Sequence, residues 1–288
     1  MRAFLLLTSL FVFTGCVADK SPSEPETLSL SQGWVLEGFD SPESIISDGS
    51  GNYFVSNVNG EATKRDGNGY ISLISGEGAI IEKNWSGEGT LNAPKGMTLK
   101  DGTLYVSDID ALVLINAKSG NIIDRITVEG AAFFNDVAAS EQGVFVTDSG
   151  LARIHKLENG NLPVWLEADS LAGINGLLPQ EDRLLVTTMS KGEVLSVDWS
   201  SKSITPLVSA MENADGLGQR KDGSFIVSSW PGQIWHGHVN EEPIELLDSR
   251  GENPIYQNDI LVEVDRILAP NWQPGTVREY RILTQPAK

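Results

Sequence analysis

The chain has 288 residues, 39 acidic side chains against 21 basic ones, a formal charge of −18 and a single cysteine. No Lys/Arg cluster interrupts the acidity, which excludes a nucleic-acid binder, since that needs a basic footprint. With Cys16 alone the mature domain has no internal disulfide.

Residues 1–15 carry Arg2 near their start, continue as an apolar run through Phe13 and end on the small Gly15. This is the pattern of a secretory signal, too short for a membrane span. Phe13-Thr14-Gly15-Cys16 resembles a bacterial lipobox, which implies lipidation of Cys16. Val17 stands where an aspartate would imply inner-membrane retention, so the expected location is the outer membrane, facing the periplasm. Residues 16–27 are polar and rich in Pro, Ser and Glu, a flexible tether about 20 Å end to end.

From residue 28 to 288 one pattern recurs six times: "PESIISDGSGNYFVSNVN" (42–59), "PKGMTLKDGTLYVSDID" (94–110), "FNDVAASEQGVFVTDSG" (134–150), "INGLLPQEDRLLVTTMS" (174–190), "ADGLGQRKDGSFIVSSWP" (214–231) and "QNDILVEVDRILAPNWQP" (257–274). Each copy is a polar residue, a short apolar strand, a turn and a second apolar strand. Lys95, Asn135, Asn175 and Asp215 are evenly spaced along the chain. A third strand follows every copy and a fourth follows the first five. The sixth lacks its last strand, which "LSLSQGWVLEGFD" (28–40) can supply from the other end, closing the ring and removing an exposed edge. The pattern predicts an all-β, six-bladed β-propeller whose N-terminal strand completes the last blade.

In a propeller the first strand of each blade lines the central channel, so the residue opening it stands at one mouth. Six such residues form a ring: Glu43, Lys95, Asn135, Asn175, Asp215 and Asn258. The second strand returns to the same mouth, giving a rim that includes Asn57, Asp108, Asp148, Met189, Trp230 and Trp272. Two carboxylates and two amides are hard oxygen donors suited to a divalent cation, Ca²⁺ first, with Zn²⁺, Mg²⁺ and Mn²⁺ as alternatives. Lys95 either pairs with Glu43 or Asp215, competing with a metal, or extends to solvent. His155, His236 and His238 fall on third strands, away from the axis. The interval from Glu43 to Lys95 is longer than those that follow, and much of the excess is the polar segment 59–69, at the ring's mouth, either a mobile lid or a tolerated insertion.

These residues carry a resemblance to the senescence marker protein/gluconolactonase/luciferin-regenerating enzyme family, six-bladed calcium-dependent hydrolases. Its Ser-Pro-Glu motif is matched by "SPES" with Glu43, its Asn-Gly motif by "GINGL" with Asn175, its Asp-Gly motif by "NADGLG" with Asp215, and its Phe-Asn-Asp motif by "FFND" with Asn135. The resemblance implies metal ligation by Glu43, Asn175 and Asp215, with Asn135 contacting substrate or metal-bound water, and Asp215 as general acid/base. Phe133 replaces an arginine that sugar-lactonase members carry. With Met189, Trp230 and Trp272 it favours an apolar or aromatic ligand.

The expected protein is thus a monomeric, lipid-anchored, metal-dependent hydrolase of a small lactone or related ester. Glu43, Asn135, Asn175 and Asp215 hold the metal. Asp215, or Asp136 beside the ring, activates water with Asn135 orienting it, and Phe133, Asp148, Met189, Trp230 and Trp272 rim the substrate. A non-catalytic binding or scaffold propeller stabilised by metal, and a strictosidine synthase-like propeller, are the alternatives.

Overall fold

A computed structural model describes residues 26–87 and 91–286; the expected signal segment, Cys16 and most of the tether lie outside the described residues. Five blades are four-stranded antiparallel sheets, each with its strands in chain order from the axis outward. Blade 1 is Pro42–Ser47, Asn52–Asn57, Tyr70–Ser75 and Ile80–Glu82; blade 2 is Pro94–Lys100, Thr103–Asp108, Ala111–Asn116 and Ile122–Thr127. Blades 3, 4 and 5 open on Phe134–Ser140, Ile174–Pro179 and Ala214–Gln219. In the sixth, the innermost strand is broken into Tyr256–Gln257 and Leu261–Val262, followed by Arg266–Gln273 and Thr276–Pro286. The outer strand there is Glu26–Glu37, antiparallel to Thr276–Pro286, so the two ends of the chain close the ring. It begins two residues inside the expected tether.

The apolar residues do not converge on one centre. They form wedges between neighbouring blades, as alternation along each strand requires. Phe54 and Ile71 pack on Leu104 and Val113 between blades 1 and 2, and Phe145 and Ile154 on Leu184 and Leu195 between blades 3 and 4. Burying one such Phe or Leu contributes about 2 kcal/mol. Because the wedges lie off the axis, the channel is free to be lined by polar groups.

A repeated irregularity aims those groups. In the first five blades the register between the two innermost strands slips at one place, between Pro42 and Ile45, Pro94 and Met97, Phe134 and Val137, Ile174 and Leu177, and Ala214 and Leu217. Each slip is a bulge, which takes a side chain out of ordinary alternation, and each contains one ring residue. The second strand supplies the repair through a Val-Ser/Thr step: Ser56, Thr147, Thr187 and Ser228 accept the N–H groups of Ser44, Asp136, Gly176 and Gly216 at 2.8–2.9 Å. Three of these hydroxyls, and that of Ser107, also tie blades together, Thr147 donating to the Asn175 carbonyl at 3.0 Å and Ser228 to that of Asn258 at 2.6 Å, with Ser107 and Thr187 reaching Asn135 and Asp215 likewise. Gly216 is required by closeness, since a Cβ there would strike the Asp259 carboxylate and the Ile260 nitrogen.

Candidate functional site

The five bulges, and the break in the innermost strand of the sixth blade, bring all six ring residues to one cavity of about 340 Å³, where Glu43, Lys95, Asn135, Asn175, Asp215 and Asn258 form the floor and Ala62, Phe133, Met189, Trp230 and Trp272 the wall. Every floor residue is buried. Asn258 donates its amide to the Pro42 carbonyl at 2.9 Å, bridging blades 6 and 1, and the Asn175 amide donates to Met189 Sδ at 3.4 Å. Trp230 meets Trp272 edge-on at 6.4 Å and Tyr256 at 5.3 Å, a rigid aromatic wall on one side.

The electrostatics are unusual. Glu43 Oε2 and Asp215 Oδ1 are buried and have no hydrogen-bond partner among the described residues. Burial, then the charges of Asp215 and Asp259, holds the Glu43 carboxyl well above the usual carboxylate range, with Lys95 acting the other way. Burial and then Asp259 raise Asp215 similarly. An orphaned buried acceptor costs about 1–3 kcal/mol, more when charged, so these two oxygens are the least satisfied polar atoms of the floor.

Lys95 follows neither expected course. It is 2% exposed, so it does not extend to solvent, and it makes no ion pair with a carboxylate among the described residues. Its ammonium instead donates to the carbonyls of Ala62 at 2.9 Å and Ala93 at 3.0 Å and lies 4.4 Å from the centre of the Phe133 ring. Burial pulls its pKa down to about 8, against the charges of Glu43 and Asp108. Although Phe133 is uncharged, a cation therefore reaches its position from blade 2. Ala62 belongs to the 59–69 segment, which is held over the mouth by this contact, by Arg65 to Asp110 at 2.7 Å and by Gly67 to the Asn92 side chain at 3.2 Å.

Half of the expected rim is corrected: Asn57, Asp108 and Asp148 are not in the cavity lining. Asp148 does not line the cavity: it pairs across the hairpin with Phe134, as Thr188 pairs with Ile174 and Ser229 with Ala214. Met189, Trp230 and Trp272 sit one place further along, and in a strand one place changes the face. Asp148 points away and accepts the N–H groups of Ala132 at 2.9 Å and Phe133 at 3.0 Å. Asp108 does the same for Asn92 and Ala93, and Asn57 for Asp40.

Asp136 also departs from expectation. It lies below the floor and outside the cavity lining, with one oxygen on Val137 N–H at 2.7 Å and the other on Leu177 N–H at 2.6 Å. With both oxygens engaged it is placed to join blades 3 and 4, not to activate water. Asp259, which the sequence reading missed, mirrors it: it accepts Ile260 N–H at 2.8 Å and the Ser44 hydroxyl at 2.7 Å, joining blades 6 and 1. Burial pushes its carboxyl up to about 6, against those bonds. The signal was present, because Asn-Asp occurs both at 135–136 and at 258–259.

None of the three histidines lines the cavity. His155 bonds the Leu162 carbonyl through Nδ1 at 2.8 Å, and the rings of His236 and His238 lie 4.8 Å apart within blade 5. Among the described residues no group of three or more His, Cys, Asp or Glu is arranged to hold a metal. The donors at the floor are instead two carboxyl groups with orphaned oxygens, beside the amides of Asn135 and Asn175. That chemistry fits a hard, oxygen-seeking cation such as Ca²⁺, and fits zinc, which prefers nitrogen and sulfur, less well.

No family profile matches the chain, and no curated protein does. Solved structures do. Virginiamycin B lyase from Staphylococcus aureus, with quinupristin and in a catalytically inactive histidine-to-alanine form, aligns with a TM-score of 0.62 at 13% identity, over 89% of this chain and 100% of that one. A streptogramin B lyase aligns with a TM-score of 0.60 at 11% identity, over 89% and 98%. The chain is a six-bladed β-propeller. At such identities the likeness is one of fold, and it does not single out the hydrolase family that the motifs resemble.

Proposed function

We propose that the protein is a metal-dependent hydrolase of a lactone or related ester, working at the cavity of the tunnel mouth. The observation that carries this reading is the pair of buried carboxylates, Glu43 and Asp215, each with an oxygen that has no partner among the described residues, in a shared cavity. A protein bears that cost where something else completes the coordination, and a divalent cation held by Glu43, Asp215, Asn135 and Asn175 would do so. When bound, such an ion supplies polarisation of a carbonyl oxygen and acidification of a water. Asp215 accepts the proton of the attacking water, and Asn135 and Asn175 orient that water and the substrate. Phe133, Met189, Trp230 and Trp272 receive the apolar part of the substrate. The segment carrying Ala62 covers the mouth and limits access of bulk water.

Two observations bear on the rivals. A structural centre closed by Lys95 would need it to bridge Glu43 and Asp215, and its ammonium is held by backbone carbonyls instead; a scaffold propeller stabilised by metal is told apart by the hydrolysis assay below. The streptogramin-type lyase includes a form inactivated by loss of a histidine, whereas no histidine lines this cavity, so the reading borrows no histidine-dependent chemistry from it. We further propose lipidation at Cys16, which would anchor the domain to the outer membrane on its periplasmic face. Among the described residues no helix is long and apolar enough to cross a membrane.

The test is hydrolysis of a panel of γ- and δ-lactones and aryl esters by calcium-loaded protein, before and after chelation. Turnover that disappears with the metal and returns on adding it back supports the proposal. Turnover indifferent to chelation, or none across the panel, counts against it.

A further inference from the structure

We propose that Lys95 is the anion anchor of the central cavity, its remaining N–H binding a carboxylate oxygen of the ligand. An ammonium has three donors. Two are spent on the carbonyls of Ala62 and Ala93, which fix the group in place, and no third partner occurs among the described residues. The side chain lines the cavity, so the third donor belongs to whatever enters. The groups facing it are the Phe133 ring, the two carbonyls and, beyond ion-pair distance, the charges of Glu43 and Asp108. Asp108 is already neutralised by Arg125 at 2.8 Å.

The charge count points the same way, and here the inference rests on the metal reading above. A divalent cation on Glu43 and Asp215 cancels both carboxylates and leaves Lys95 as the net charge of the lining. Asp136 and Asp259 lie below the floor, with their oxygens already accepting hydrogen bonds. A lining of one positive charge beside an aromatic wall suits a small aromatic or apolar monoanion. The acid released from an ester or lactone is of that class.

Calorimetric titration of the calcium-loaded protein with phenylacetate and with phenylacetamide, its neutral isostere, tests this. A charge-assisted hydrogen bond predicts that the wild type prefers the acid by about 10- to 100-fold. In Lys95→Met the acid-to-amide ratio falls to near one, and Lys95→Arg restores part of it. A merely structural role, such as holding Ala62, would weaken both probes and leave the ratio alone. A wild type with no preference for the acid, or a ratio unchanged in Lys95→Met, overturns the proposal; if that variant does not fold, Lys95→Gln is read in the same way. Lactone hydrolysis is assayed on the same samples. A Lys95-dependent preference without turnover sustains the anchor and sinks the hydrolase, and turnover with no such preference does the reverse.

Discussion

Glu43 and Asp215 stand one layer above Asp136 and Asp259 on the same axis, and the two layers treat a buried carboxylate in opposite ways. In the lower layer every oxygen meets a backbone N–H or a hydroxyl of its own or the neighbouring blade. In the upper layer one oxygen of each carboxylate meets nothing among the described residues. Burial raises all four carboxyls, so burial is not the difference. The lower pair closes the ring of blades, whereas the upper pair is held ready for something outside the chain. A satisfied buried acid belongs to the fold; an unsatisfied one, in a cavity, belongs to a site.

Removing an acid from each layer is the strongest way to break this distinction. Asp215→Asn or Glu43→Gln should lower metal-dependent hydrolysis by about 100-fold or more, measured as kcat on the best lactone of the panel. The metal-free protein should not lose stability, because an uncompensated buried charge has been removed. Asp136→Ala strands the Val137 and Leu177 N–H groups and should cost about 3 kcal/mol in urea unfolding. Gly216→Ala, which drives a methyl into Asp259, should cost about 2 kcal/mol.

A pH series sharpens the lower layer further. Asp259 keeps its proton in the folded chain up to about 6, while an unfolded aspartate loses it near about 4. Between those values the folded state binds more protons, so stability falls as pH rises through the window. Melts of the metal-free protein should show this trend, and Asp259→Asn should flatten it. The smallest effect is expected at the loop: Arg65 is 55% exposed where it pairs with Asp110, so Arg65→Ala should change stability by less than about 0.5 kcal/mol. A larger loss would mean that the loop is part of the fold and not a cover.

The fold was legible because the repeat is long and regular. Lys95, Asn135, Asn175 and Asp215 recur in step, and the missing strand of blade 6 was found at the other end of the chain. The six floor residues were legible for the same reason, since each opens a first strand. What escaped notice depends on detail that spacing does not carry. Asp148 ends a strand, which suggests the rim, but cross-strand pairing puts it in line with Thr188 and Ser229, facing away. Lys95 could not be placed because its partners are the backbone oxygens of Ala62 and Ala93, which have no residue-type signal. The hydroxyls of Ser107, Thr147, Thr187 and Ser228 could have been read from the Val-Ser/Thr step of each blade.

The most direct measurement is a thermal melt with and without Ca²⁺, on the wild type and on Asp215→Asn. A ligand at 100 times its dissociation constant stabilises by about 2.7 kcal/mol, which for a domain of this size raises Tm by about 5 to 10 °C. The account predicts that shift in the wild type and its loss in Asp215→Asn. An equal shift in both proteins, or none in the wild type at millimolar calcium, would contradict the claim that the orphaned oxygens of Glu43 and Asp215 await a cation.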